Sequence, residues 1–197
     1  MKEEYKEPDF WSRKAFSEGY PARSVYKLKE INKKFEVFKN SSKVLDLGAA
    51  PGSWTSYALK ILEKDGLCVS VDLKPLDSEI KDSRLHFLQG DLYSKGIFDT
   101  VKNLGPYDLV ICDAAPATTG NKTVDTARSV GLVELAIFYA SENLKQGGNF
   151  VVKIFQDGSQ QELLQRLRTL FKTAKAFKPK ASRNSSIETF LVANDFL

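Results

Sequence analysis

Four short apolar runs, each carrying an aspartate at or just beyond its end, constrain this chain more than any other feature. Asp46 sits in the run 43–47, Asp72 follows 67–71, Asp91 follows 84–88 and Asp113 follows 107–112. Short β-prone runs separated by helical spacings imply a mainly parallel sheet covered by helices on both faces. In such a sheet ligands bind beyond the carboxyl ends of the strands, so the four carboxylates are expected along one edge. Each alone would equally suit a helix cap or a turn; four in register favour a ligand edge.

The remaining elements follow from the same spacing. Residues 24–35 read as a helix ahead of the sheet, 54–62 as a helix with Ser53 as its N-cap, and 127–144 as a long helix stopped by Gly147 and Gly148. Residues 149–155 give a fifth strand with Lys153 near its end, 159–171 a further helix, and 174–177 and 187–193 two last strands. The expected fold is therefore α/β, a Rossmann-like arrangement with a seven-stranded, mainly parallel sheet flanked by helices. At 197 residues the chain suits one domain, 1–197, with 1–9 mobile and 10–40 forming an N-terminal helical segment.

Composition narrows the function classes. Apolar residues at 42% and charged residues at 27% leave little room for extended disorder. No stretch approaches the roughly 18 apolar residues of a membrane span, and the first 11 residues are charged rather than apolar, so a cytoplasmic protein with no membrane partner is expected; an organellar one remains open. Cys68 and Cys112 lie in apolar runs without metal-ligand spacing and read as packed thiols, so no metal is expected. The sole histidine, His86, reads as structural.

The net charge of +4 does not establish a nucleic-acid partner, but its distribution is informative. Between Leu163 and Ile187 there are Arg166, Arg168, Lys172, Lys175, Lys178, Lys180 and Arg183 without one Asp or Glu. A second basic set, Arg13, Lys14, Arg23, Lys27, Lys29, Lys33, Lys34 and Lys39, is interleaved with Phe10, Trp11, Phe16, Tyr20 and Tyr26. Both sets suit an RNA-facing surface, with cations on phosphates and aromatics on bases, and both equally suit solvated helix faces.

The segment Asp46-Leu-Gly48-Ala-Ala-Pro-Gly52-Ser-Trp54 lies between a strand and a helix, where small residues let the backbone approach a nucleotide-like ligand. It lacks the glycine spacing of a dinucleotide fingerprint and the Gly-Lys-Ser/Thr ending of a P-loop. Asp72 is placed to accept from ribose hydroxyls and Asp91 to take a donor from an adenine ring.

Residues 44–54 resemble the cofactor motif of class I S-adenosylmethionine-dependent methyltransferases, and the Ala-Ala-Pro-Gly-x-Trp form resembles that of the FtsJ/RrmJ family of ribosomal RNA 2'-O-methyltransferases. The resemblance extends over 20–28, 108–116, 150–156 and 182–188, and so over nearly the whole chain after Asp9. Ser53 departs from it, since the bacterial form often has a second glycine there.

The resemblance implies that Gly48, Gly52 and Trp54 belong to the cofactor site, with Asp72 at the ribose, Asp91 at the adenine and Asp113 near the methyl group. It implies S-adenosylmethionine as cofactor, S-adenosylhomocysteine as product, and a catalytic set of Lys27, Asp113, Lys153 and Glu188. The partner would be ribosomal RNA or the large ribosomal subunit, the target a uridine in its aminoacyl-tRNA-binding loop, and the enzyme a monomer. A transfer-RNA or mRNA-cap 2'-O-methyltransferase and a non-catalytic ribosome-assembly factor are the competing readings; little beyond the catalytic domain speaks against the cap enzyme.

Lys153 would act as general base on the ribose hydroxyl, and must lose its proton to do so. Burial and the second cation Lys27 would lower its pKa, while Asp113 and Glu188 would oppose that.

Overall fold

The computed structural model describes residues 8–116, 119–155, 160–182 and 186–197. Its centre is a seven-stranded sheet in the order β3-β2-β1-β4-β5-β7-β6, built from β1 (Lys43–Leu47), β2 (Leu67–Asp72), β3 (Leu85–Gln89), β4 (Tyr107–Cys112), β5 (Leu144–Phe155), β6 (Phe171–Phe177) and β7 (Glu188–Phe196). The first five strands are parallel, and β7 runs antiparallel between β5 and β6. The helices are α1 (Phe10–Ser17), α2 (Val25–Phe35), α3 (Ser53–Ile61), α4 (Lys95–Leu104), α5 (Lys122–Asn143) and α6 (Gln160–Leu170). None is long and apolar enough to cross a membrane.

Side-chain alternation divides the core in two. Leu45, Leu47, Val110, Cys112, Phe150, Val152, Ile154, Leu191 and Ala193 belong to one buried cluster with residues of α5 and α6. Their neighbours Val44, Cys68, Leu109, Ile111, Val151, Phe190 and Val192 pack with α2 and α3 in another. Period two therefore puts Lys153 on the face of Val151, and Glu188 on the face of Phe190, both toward α2.

Several expectations are corrected. Helix α5 starts five residues before residue 127, where Asn121 accepts from the N–H groups of Thr123 and Val124. It ends at Asn143, because Leu144 already pairs with Tyr107 in the sheet. Gly147, at φ 79°, falls in an irregularity of β5 that shifts its register on β4, and does not stop a helix. Gly52, not Ser53, caps α3, its φ of 109° making the turn, while Ser53 Oγ donates to the Ala22 carbonyl at 3.0 Å. Strand β6 begins three residues before 174.

One helix, α4, had no place in the sequence reading, and α1 falls within the helical segment expected at 10–40. In α4, Gly96 and the β-branched Ile97, Thr100 and Val101 lower helical propensity, yet Ile97, Val101 and Leu104 form one apolar stripe. In α1, Asp9 is the N-cap, accepting from Ser12 N at 2.8 Å, and it also pairs with Arg23. Asp9 is thus held in place rather than mobile. Residues 1–7 of the segment expected to be mobile, the start of the helix expected at 159, Gln156 and Arg183 lie outside the described residues.

Candidate active site

The carboxyl ends of β1, β2 and β4 converge on a cradle of three carboxylates. Gly48, at φ 71°, lets the turn after β1 pass against the turn after β4: a Cβ there would stand 2.5 Å from Ala114 Cβ. Asp72 supports the same turn, accepting from Ala50 N at 2.9 Å through one oxygen and from Lys74 N at 2.8 Å through the other. Asp46 is buried and accepts from Thr55 Oγ1 at 2.7 Å, with its other oxygen unpartnered. Burial, reinforced by the nearby Asp113 and Asp72, raises its pKa to about 7 against the Thr55 hydrogen bonds.

Three carboxylates this close repel one another, and an orphaned buried carboxylate oxygen is costly. A ligand that brings positive charge and hydroxyl donors relieves both. S-adenosylmethionine, with a sulfonium, an ammonium and a ribose diol, fits this donor set. Gly52 supplies the other wall, with Ile80 of the β2–β3 connection so close that a Cβ would stand 2.2 Å from its Cδ1.

Trp54 is placed differently from a ligand-lining side chain. Its indole is 2% exposed, donates through Nε1 to the Ser24 carbonyl at 3.0 Å and packs near Phe190. Only its backbone, in the first turn of α3, remains for a ligand. Asp91 lies at the end of β3 and accepts from Tyr93 N at 3.0 Å, a turn-forming contact that leaves its second oxygen without a hydrogen bond to the described residues.

Beside the cradle, the fold brings Lys27, Asp113, Lys153 and Glu188 together from four segments. Lys153 comes from β5 and Asp113 from the end of β4. Glu188 is the first residue of β7, opposite Phe155, because β7 is antiparallel and so starts where β5 ends. Lys27 is the third residue of α2. Lys153 Nζ donates to the Asp113 carbonyl at 2.6 Å and stands 3.0 Å from its Oδ1 and 3.9 Å from Glu188 Oε1. Glu188 Oε2 accepts from Lys27 Nζ at 2.6 Å. The charges alternate as Asp113, Lys153, Glu188, Lys27.

That order decides a balance that the sequence leaves open. Burial lowers the Lys153 pKa, but Asp113 and Glu188 outweigh it, and the net shift is upward. Glu188 stands between the two lysines and pairs with both, so Lys27 does not act as the unscreened neighbour that would strip the proton. Burial raises the Glu188 pKa, but Lys27, Lys153 and Ser186 together outweigh it and leave it below the ordinary glutamate value.

The expected RNA-facing set is thinned by packing. Tyr20 and Tyr26 are buried at 5% and 6% exposure and are covered by Lys14, Lys29 and Lys60. Phe10 and Phe16 remain exposed. Arg23 and Lys27 are committed to internal partners and Arg166 to Glu134, whereas Arg168, Lys172 and Lys175 are exposed.

The pattern of the FtsJ-like methyltransferase family matches residues 20–196. The chain is 68% identical over 195 residues to the ribosomal RNA large subunit methyltransferase E of Treponema denticola, covering 99% of this chain and 98% of that protein. It is 43% identical to the protein of the same name from Borrelia duttonii over 188 residues, 95% of this chain and 96% of the other. Among solved structures, one from Plasmodium falciparum described as a ribosomal RNA methyltransferase superposes with a TM-score of 0.76 at 27% identity. It covers 90% of this chain and 99% of that one.

Proposed function

Since the chain belongs to the FtsJ-like methyltransferase family, we propose that it methylates a ribose 2'-hydroxyl of large-subunit ribosomal RNA, with S-adenosylmethionine as donor and Lys153 as base. The observation that carries this reading is the buried Lys153 amine at 3.0 Å from Asp113 beside the carboxylate cradle. The chain acts as one methyltransferase domain, and the relatives at 68% and 43% identity support the RNA target.

S-adenosylmethionine, when bound, would supply the electrophilic methyl group. The chain itself does the rest. Asp72 and the backbone around Gly52 hold the nucleoside end, and Asp46 and Asp113 balance the positive charge. Lys153 takes the proton as the hydroxyl oxygen attacks, so that no free alkoxide has to form. Lys27 holds Glu188, and Glu188 and Asp113 together aim the Lys153 amine. Positioning of an in-line attack supplies much of the acceleration.

The test is transfer of labelled methyl groups to large subunits, naked ribosomal RNA and transfer RNA, followed by nuclease digestion and nucleoside analysis. Label recovered as a 2'-O-methylnucleoside from large-subunit RNA is the expected result; label on a base, or in transfer RNA alone, overturns the proposal.

The raised Lys153 pKa gives a pH prediction. Lysine in water titrates near about 10.4, and Lys153 in the ligand-free protein lies above its ordinary value, so the free-amine fraction grows about tenfold per pH unit through the neutral range. The rate of the chemical step should rise with pH from 7 to 9. In Glu188→Gln one of the carboxylates that retains the proton is gone, and the rising limb should move to lower pH. A limb that stays in place would remove Glu188 from the control of Lys153.

A further inference from the structure

Helix α2 holds more than Lys27 at the edge of this site. Glu30 lies three residues further on, on the same face of the helix. Its Oε2 accepts from Lys180 N at 2.7 Å and its Oε1 from Ala181 N at 2.8 Å. Arg23, just ahead of α2, donates through Nη2 to the Ala181 carbonyl at 2.7 Å and pairs with Asp9 through its other nitrogen. Ala181 is 1% exposed and packs with Ala15, Tyr20, Val25 and Tyr26. The chain between β6 and β7 is thus fastened to α2 by both its N–H groups and its carbonyl.

We propose that Glu30 is a positioning residue, which holds Glu188 opposite Lys27 by tying the β6–β7 connection to α2. This rests on the reading of Lys153 as the base. Glu188 is the terminal residue of β7 and pairs with the terminal described residue of β5, a place where strand pairing frays. On the near side, Ser186 Oγ accepts from Glu188 N at 3.2 Å and the Ser186 carbonyl accepts from Lys178 Nζ at 2.8 Å. These contacts stay within the connection itself; among the described residues, the hydrogen bonds to Glu30 and Arg23 tie it to α2 and the residues just ahead of it, beside the packing of Ala181 on Val25 and Tyr26. N–H groups bound to a carboxylate make charge-assisted hydrogen bonds, stronger than neutral ones. One helix face therefore sets both partners of the Lys27–Glu188 pair.

The experiment has two readouts on the full chain. The first is the titration of the Glu188 side-chain carboxyl carbon by NMR, which needs no substrate. In Glu30→Ala the carboxylate drifts from Lys27 and its midpoint should rise; an unmoved midpoint overturns the proposal. The second is a double-mutant cycle in turnover. Glu30→Ala should lower kcat by roughly tenfold to a hundredfold, the scale of a misplaced catalytic group, with KM for S-adenosylmethionine unchanged. In a Glu188→Gln background the same substitution should cost less than about twofold, since its route of action is gone. Equal losses in the two backgrounds would assign Glu30 a general structural role and overturn the proposal. Should Glu30→Ala not fold, Glu30→Gln keeps one acceptor oxygen and should give a smaller shift of the same sign. If the native protein methylates no RNA, the functional reading fails, and the Glu188 titration still decides the anchor.

Discussion

Replacement of Lys153 by alanine is expected to lower methyl transfer by roughly 10²- to 10⁴-fold, the usual worth of a positioned general base, with S-adenosylmethionine still bound. The side chain is 7% exposed, and its amine is the only group bridging Asp113 and Glu188 among the described residues. Part of any loss in Lys153→Ala could come from two carboxylates left facing each other without a cation. Lys153→Arg separates the two effects. Arginine retains the charge but does not give up its proton in proteins, so it can neutralise the carboxylates and cannot act as base. Both variants should be inactive in single-turnover label transfer, and both should bind cofactor in calorimetry. Native-like turnover in Lys153→Arg would show that the site needs a cation at this position and not a base.

Asp72→Ala should act on the other side of the ligand cleft. Asp72 now accepts two backbone N–H groups, at 2.9 Å and 2.8 Å, and in the proposed function it also holds the ribose diol. Charge-assisted hydrogen bonds are worth about 1.5–3 kcal/mol each, so loss of one toward the ligand raises Kd roughly 10- to 100-fold. The freed Ala50 N–H loosens the turn as well, which adds to the loss. RNA affinity should not change, because the exposed basic side chains Arg168, Lys172 and Lys175 are distant in the fold, on α6 and β6. Cofactor affinity that survives Asp72→Ala would place the nucleoside elsewhere on the sheet edge.

What could be read in the sequence follows from how local each signal is. Strands buried on both faces are continuous apolar runs, and β1, β2 and β4 were legible for that reason. The cradle was legible with them, since each carboxylate is tied to a strand end. Helix α4 was hidden by Gly96 and its β-branched residues. For Tyr20 and Tyr26 the sequence leaves an RNA surface and a solvated helix face equally open, because aromatic residues among lysines look alike whether they stack on a base or under a neighbouring ammonium. Lys27 and Glu188 are 161 residues apart, and no spacing rule joins them; the family resemblance did so. It could not supply the order of charges. Whether Lys153 sits nearer a cation or a carboxylate is a matter of ångströms between segments, and the structure put Glu188 in between. Glu30 and Arg23 bind backbone groups of a distant connection, and backbone groups leave no mark in a sequence.

The antiparallel course of β7 has a consequence for partly folded states. The cofactor cradle is made by the ends of β1, β2 and β4, whereas the proton-handling row also needs β5, β7 and α2. The β6–β7 hairpin lies at one margin of the sheet, and margins open first. A molecule whose hairpin has come away would still hold its methyl donor but would have lost Glu188 and, with it, the aim of Lys153. On the proposed reading, occupancy and competence therefore rest on different strands of the same sheet that meet at β4 and Asp113, and a local opening can silence the enzyme without emptying it.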